Sequence, residues 1–378
     1  MSARSGAASA TSAASLLRLA DPVDPYPSEP SDEDVAAALG LPVSAIVRFD
    51  MNTLGGGPLP AVVRAVRDFD AGRLVEYGDQ AYRRVRAAIS SATGAPAHRI
   101  VPGAGADELI RLSTTMVAGS GDAVVVPTPT FPMYGVEARL AGARVVEVPR
   151  ESPERRQPAP HIRAVAEGEG ARLVWLCSPN NPTGDAYAAD EIAALTDGLA
   201  AAVVVDAVYQ EFAEESAGEA PEARSLLALQ DRLPNLLILR SLAKSYGLAG
   251  ARVGYLVVPE EMAARFDAAR LPLAIGAASE AAAVAALGDL PAARERRALI
   301  VRERERVAQR LENRGWRVLP SLTNFVLVRP PDAGGVAAAL LERGLVVRSY
   351  TSGPLVDWLR ITVRAPRENE RLLAVIGA

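Results

Sequence analysis

Lysine occurs once in this chain, at Lys244, against 40 arginines. Where a positive charge alone suffices the sequence uses arginine, so the single ammonium asks for a chemical reason. A guanidinium stays protonated at any workable pH, whereas a partly buried ammonium can shed its proton and act as a nucleophilic amine toward carbonyl compounds. The competing reading is a leftover surface charge, and the neighbourhood decides between them. In Ser241-Leu242-Ala243-Lys244-Ser245-Tyr246-Gly247-Leu248-Ala249-Gly250-Ala251-Arg252 a hydroxyl, an amine and a guanidinium share one short stretch. Ser241 and Arg252 could hold a phosphate oxyanion while Lys244 reaches an attached aldehyde. A nucleotide P-loop needs glycine just before the lysine and another five residues earlier; Ala243 and Ile238 occupy those positions, which excludes it.

Three further segments carry chemistry. Val101-Pro102-Gly103-Ala104-Gly105-Ala106-Asp107-Glu108 reads as a loop leading into a helix, where glycines let backbone N–H groups approach a phosphate. A dinucleotide fingerprint would require a third glycine where Glu108 stands, so a Rossmann dehydrogenase is a weak alternative. Ser178-Pro179-Asn180-Asn181-Pro182-Thr183-Gly184 is a turn at a strand end, and an asparagine amide there can donate to a phenolate oxygen. Val203-Val204-Val205-Asp206-Ala207-Val208-Tyr209 places Asp206 just past an apolar strand. A carboxylate in that position is costly unless it meets a cation or a donor, and a protonated ring nitrogen would serve.

These residues need elements to position them. Short β-branched runs read as strands at Val124–Val126, Val145–Val148, Leu173–Leu176, Val203–Val205, Leu236–Leu239 and Val253–Val258, and several of them lack polar alternation, which suits strands buried on both faces. Helical stretches, including Ala106–Met116 and Ala189–Ala200, lie between most of them. The alternation predicts an α/β fold with a mostly parallel central sheet covered by helices on both faces, whose ligands bind at the carboxyl ends of the strands. From about Pro259 the texture changes. An Ala-, Glu- and Arg-rich helical stretch, Glu280–Arg314, precedes strands Phe325–Val328, Val346–Val347 and Leu359–Val363 and a helix Gly335–Arg343, which together predict a smaller α+β unit. Asp32–Leu41 reads as a short helix ended by Gly40, and Pro60–Phe69 and Gln80–Ala92 read as helices.

Composition narrows the function classes. The formal net charge is −4 over 378 residues, which supplies no electrostatic footprint for nucleic acid or an anionic membrane. One cysteine, Cys177, forms no internal disulfide, and with only His98 and His161 there is no structural zinc set and no metal is expected. No apolar run is long enough to span a membrane, and Met1–Ala20 reads as a tail in preference to a targeting segment, so a cytoplasmic location is expected.

The four segments, in this order, resemble the fold-type I aminotransferases that use pyridoxal 5′-phosphate, and Ser178–Gly184 is highly specific for them. The nearest branch is similar to histidinol-phosphate aminotransferase. The likeness runs from about Asp24 to the end: Asp24-Pro25-Tyr26, Gly105-Ala106-Asp107-Glu108, Leu359-Arg360-Ile361-Thr362-Val363 and Arg367-Glu368-Asn369-Glu370 match in kind. The resemblance implies an N-terminal tail and arm (1–48), a large cofactor-binding domain (49–262) and a small domain (263–378). It implies that Lys244 bonds the cofactor aldehyde and shuttles a proton, that Asp206 keeps the ring nitrogen protonated, and that Asn181 and Tyr209 hydrogen-bond the ring hydroxyl. Ser241, Arg252 and the amides of Ala106 and Asp107 would hold the phosphate, and Phe131 would stack on the ring. Tyr77 would reach the cofactor phosphate of a neighbouring subunit, which makes a homodimer part of the expectation. Arg360, Arg348 and Asn52 would face substrate. The expected reaction is amino transfer between an amino acid and an oxo substrate; a decarboxylase, lyase or cyclase of the same fold is the alternative. The chain departs from the family at Ala207-Val208 (usually Glu-Ala), Met51-Asn52-Thr53-Leu54 (usually Asn-Glu-Asn-Pro), Phe131 (usually Tyr) and Ala243 (usually Ser).

Overall fold

The computed structural model describes residues 29–217 and 222–377, so the tail and Asp24-Pro25-Tyr26 lie outside the described residues. Twelve strands among the described residues form two sheets. Seven belong to the larger sheet: β2 (Ile100–Gly103), β3 (Ala123–Thr128), β4 (Arg144–Pro149), β5 (Leu173–Cys177), β6 (Ala202–Asp206), β7 (Leu236–Ser241) and β8 (Gly254–Val257). Five belong to the smaller: β1 (Val47–Phe49), β9 (Arg317–Val318), β10 (Phe325–Arg329), β11 (Leu345–Ser349) and β12 (Leu359–Thr362).

The larger sheet runs β2-β8-β7-β6-β5-β3-β4. All its neighbours pair in parallel except β8, which is antiparallel to β7 and β2. Strands β5, β6 and β7 are almost completely buried, and separate apolar clusters cover the two faces, as a parallel sheet between helix layers requires. Alternate residues serve opposite faces. On β6, Val203 and Val205 join one cluster and Val204 joins the other.

The smaller sheet, β1-β11-β12-β10-β9, packs on the helices Leu290–Asn313, Ala333–Leu341 and Pro366–Ile376. Here β1 pairs in parallel with β11, joining the N-terminal region to the C-terminal unit. The anticipated division at 48/49 therefore falls inside β1, and that at 262/263 inside the helix Glu260–Ala269. Two other expectations change in detail. Val101–Gly103, read as loop, is strand, and the long stretch after Glu280 is two helices, Ala277–Gly288 and Leu290–Asn313. They separate at Asp289, whose carboxylate caps the second helix by accepting from the Ala292 N–H.

One edge of the larger sheet collects the chemistry. Gly103, Cys177, Asp206 and Ser241 each end a strand there, and β8, running the other way, begins there just after Arg252. At Gly254 a Cβ would lie 2.9 Å from the Gly105 carbonyl carbon and 3.1 Å from the Ala106 nitrogen, both backbone. Hydrogen on that α-carbon is what lets the Gly103–Ala106 turn lie against β8. Replacing Gly254 by Ala is expected to push this turn away and to cost about 1–3 kcal/mol. Urea unfolding measures the stability loss, and cofactor titration of the purified apoprotein should show weaker binding; unchanged values for both would contradict the close packing.

Candidate active site

Lys244 lies in the one-turn helix Leu242–Ser245, which Ser241 caps by accepting the Ala243 N–H at 3.2 Å. The amine is half-buried and donates to the Met51 carbonyl at 3.2 Å. Burial, reinforced by the Arg360 guanidinium, lowers its pKa to about 8 even though Asp107 and Asp206 pull the other way. At neutral pH an appreciable fraction of the amine is thus unprotonated and nucleophilic.

Asp206 is only 3% exposed at the end of β6. Burial raises its pKa to about 6, opposed by two hydrogen bonds: Tyr134 donates its hydroxyl to Oδ2 at 2.5 Å and the Val208 N–H donates to Oδ1 at 3.1 Å. Tyr134 is fully buried, stacked on Trp175 at 4.7 Å between centroids and 9° between planes. The sequence reading passed over Tyr134. Its one signal was a phenol three residues after Phe131, one turn along the same segment, and Phe131 does meet the Tyr134 ring edge-on at 5.8 Å. Cys177, paired with Asp206 in the β5–β6 register, completes the group; burial drives its thiol pKa up to about 12, so it stays a neutral thiol.

The phosphate-type cradle lies beside these groups. Helix Ala106–Val117 starts at the sheet edge, and the N–H groups of its first turn have no partner within the helix. Gly105 adopts φ +87°, and a Cβ there would lie 2.7 Å from an Arg252 guanidinium nitrogen. Arg252 reaches the Asp107 carboxylate at 2.7 Å. The Ser241 hydroxyl accepts its capping bond and retains its proton for donation outward. Two guanidinium nitrogens, a hydroxyl and helix N–H groups suit a phosphate; a buried carboxylate suits a ring N–H; a depressed amine suits an aldehyde.

The smaller sheet adds the remaining residues. Arg360, 9% exposed, donates to Asn181 Oδ1 at 2.5 Å and to the Asp50 carbonyl, with its plane 5.5 Å from the Phe325 ring. Asn52, at φ +52°, donates to the Tyr209 hydroxyl at 2.9 Å and is held by Thr362 and by Asn324, whose amide donates to its carbonyl. Arg348 stands directly opposite Arg360 in the β11–β12 register. One residue of the expected set stays outside the cluster: Tyr77 is 88% exposed.

The Aminotransferase class I and II family profile matches residues 44–376. The chain belongs to this family. It is 37% identical to a histidinol-phosphate aminotransferase of Roseiflexus castenholzii, over 94% of this chain and 95% of that protein. It is likewise 37% identical to a histidinol-phosphate aminotransferase of Symbiobacterium thermophilum, over 94% and 95% of the two chains. Among solved structures, the histidinol-phosphate aminotransferase of Sinorhizobium meliloti in complex with pyridoxal 5′-phosphate superimposes with a TM-score of 0.81 at 28% identity, covering 92% of this chain and 93% of that one. The protein is a pyridoxal-phosphate-dependent aminotransferase of fold type I, and the decarboxylase, lyase or cyclase alternative is not favoured. Among the described residues no helix is long and apolar enough to cross a membrane.

Asp206 supplies a sign-definite test. Its folded pKa is above its unfolded value near 3.8, so the native apoprotein binds the extra proton and loses stability as pH rises from about 4 to 6. Asp206→Asn is expected to stabilise the apoprotein by about 2–3 kcal/mol at pH 7 and by much less at pH 4. Tyr134→Phe, which deletes a donor to the carboxylate, should move the same transition to higher pH. Thermal unfolding across this range reads both effects, and parallel curves for wild type and Asp206→Asn would rule out the buried charge.

Proposed function

We propose that this aminotransferase moves an amino group between an amino acid and an oxo substrate that carries an anionic group, of the histidinol phosphate and imidazole-acetol phosphate kind. The observation that carries the reading is the Arg348–Arg360 pair, two guanidinium side chains on one sheet face, with Arg360 contacting Asn181 at the sheet edge that holds Lys244. Two guanidinium groups on neighbouring strands, Arg348 being paired with Glu29 in this structure, suit an anion held between them: the α-carboxylate at Arg360 in one half-reaction, a phosphate in the other. The names of the 37%-identical relatives support the same class.

The chain's own residues divide the work as follows. Ser241, Arg252 and the N–H groups of Ala106 and Asp107 would hold the cofactor phosphate, and Phe131 would cover its ring. Asp206, kept in place by Tyr134, holds a proton on the ring nitrogen. Bound in this way, the cofactor supplies an electron sink for charge developing at the substrate α-carbon. Lys244 would anchor the cofactor and, once freed as an amine, accept and return the α-proton. Tyr209 and Asn181 would hydrogen-bond the ring hydroxyl, Asn52 fixes Tyr209, and Arg360 would grip the substrate carboxylate.

We further propose a cytoplasmic homodimer. Leu74, Val75 and Tyr77 lie exposed in one short segment, an apolar patch that suits burial by a second copy, with Tyr77 reaching the partner's cofactor phosphate. The division into an arm (1–48), a large domain (49–262) and a small domain (263–378) is retained as a proposal, with β1 contributed to the small-domain sheet.

Three measurements test the function. Because Lys244 is the chain's one ε-amine, borohydride treatment of the yellow holoenzyme is expected to fix the chromophore on the Lys244 peptide, and Lys244→Arg should abolish the label. A screen pairing glutamate, histidinol phosphate and aromatic amino acids should find phosphate- and carboxylate-bearing partners best. Arg360→Lys should lower kcat/KM roughly a hundred-fold by removing bidentate recognition. Turnover confined to neutral aromatic amino acids would overturn the substrate class.

A further inference from the structure

Arg348 is not free to meet substrate in this structure: its guanidinium is paired with the carboxylate of Glu29, both side chains half-buried. The segment that brings Glu29 there is tied down close by. Arg48 on β1 donates to the Pro30 carbonyl at 2.7 Å and pairs with Asp32 at 3.1 Å. Ser31 opens the helix Asp32–Leu39 through a reciprocal bond with Asp34. Glu29 is thus delivered to β11 by residues that have no part in the chemistry.

The charges around the two arginines are unevenly met. Arg360 donates to neutral acceptors, the Asn181 amide oxygen and the Asp50 carbonyl. The Asp50 carboxylate is itself occupied by a two-pronged contact from Arg48, at 2.8 and 2.6 Å. Arg348, opposite Arg360 across the ladder, holds a full counter-charge in Glu29 and lies 5.9 Å from the centre of the Tyr350 ring. A protein carboxylate therefore sits on one of two arginines assigned to substrate anions.

We propose that Glu29 is a specificity-determining residue that competes with substrate for Arg348. The inference rests on the reading of Arg348 and Arg360 as one anion subsite. A single carboxylate binds at Arg360 and leaves the Glu29–Arg348 pair intact. A group with two negative charges, a phosphate or a second carboxylate reaching Arg348, must displace Glu29 and gives up part of its binding free energy in doing so. The site then accepts such groups with an affinity set below what two unpaired arginines would give, which favours release of a phosphorylated product at the end of the half-reaction that forms it.

The test uses the cofactor-loaded enzyme and three competitive inhibitors, inorganic phosphate, succinate and propionate, with inhibition constants measured against the amino donor. Removing the competitor in Glu29→Gln is expected to tighten phosphate and succinate about two- to five-fold, the scale of a partly exposed ion pair, and to leave propionate unchanged. Arg348→Gln should weaken phosphate and succinate and spare propionate, and in the double variant the Glu29 effect should vanish. If Arg348→Gln leaves phosphate binding untouched, the anion-subsite reading fails and this inference with it. If Arg348→Gln weakens phosphate while Glu29→Gln leaves it the same or weakens it, the subsite stands and Glu29 merely fastens the chain. Equal tightening of propionate also counts against competition, because it signals a general opening of the site.

Discussion

The structure is organised around keeping one carboxylate charged where water does not reach it. Asp206 ends a strand buried on both faces, and desolvation alone would neutralise it at working pH. Two donors, the Tyr134 hydroxyl and the Val208 amide, hold the charge against that cost. The phenol in turn is fixed by a parallel stack on Trp175, so the orientation of the carboxylate is determined by core packing two side chains away. What remains of the desolvation penalty is a stability cost that a bound cation at the ring nitrogen relieves. The same carboxylate also acts on Lys244, raising a pKa that burial and Arg360 lower. The acid and the amine thus have their pKa values moved toward each other and toward neutrality, from about 3.8 to 6 and from about 10.5 to 8.

A second constraint is that the amine and the arginine proposed to anchor the substrate carboxylate belong to different sheets. Lys244 follows β7 and Arg360 lies on β12, so recognition and chemistry stay in register only if the sheets cannot slide. The tie is polar and buried: Arg360 to Asn181, Asn52 to Tyr209, and Asn324 to the Asn52 backbone. Around it Leu54, Val208, Tyr209, Phe212, Ile300, Val301, Phe325 and Val363 form an apolar cluster drawn from both parts of the chain. Hydrogen bonds set the register and the apolar contacts supply the bulk of the attraction. A substrate carboxylate at Arg360, where we propose it binds, would compete with Asn181 for the same guanidinium and would be felt directly at the residue proposed for the ring hydroxyl.

Much of this was readable in the sequence, for identifiable reasons. Strands β3, β5, β6 and β7 were legible because buried parallel strands are continuous apolar runs, and β4, an exposed edge strand, through its valines; several of the segments that follow carry residue types too costly or too specific to be filler. Asp206, Asn181, Ser241, Lys244 and Arg252 all fall at the predicted edge. β1 was missed because three residues, Val47-Arg48-Phe49, make too short a pattern, and its pairing with β11 spans almost the whole chain. β2 was read as loop because Pro102 and Gly103 are turn residues; the last pairs of its ladder with β8 contain them. Tyr134 and Glu29 were invisible for a common reason. Each matters through a partner far away in sequence, Asp206 and Arg348, and a lone tyrosine or glutamate carries no spacing signal of its own.

The arginine bias has a chemical consequence for an enzyme built around an aldehyde. Any ε-amine that sheds its proton can condense with a carbonyl compound, and this chain has only one. Elsewhere cationic side chains are needed as structural clamps, and the guanidinium's several donors let one residue tie more than one acceptor. Arg163 binds Glu167 and the carbonyls of Ala194, Leu195 and Asp197; Arg99 binds Asp231, Gln230 and the Val258 carbonyl; buried Arg240 pairs with buried Glu211. A lysine has fewer donors and no planar fork with which to do this. Arginine at these places gives the fold its ties without creating a second amine, and leaves covalent selectivity to the position of Lys244 at the sheet edge.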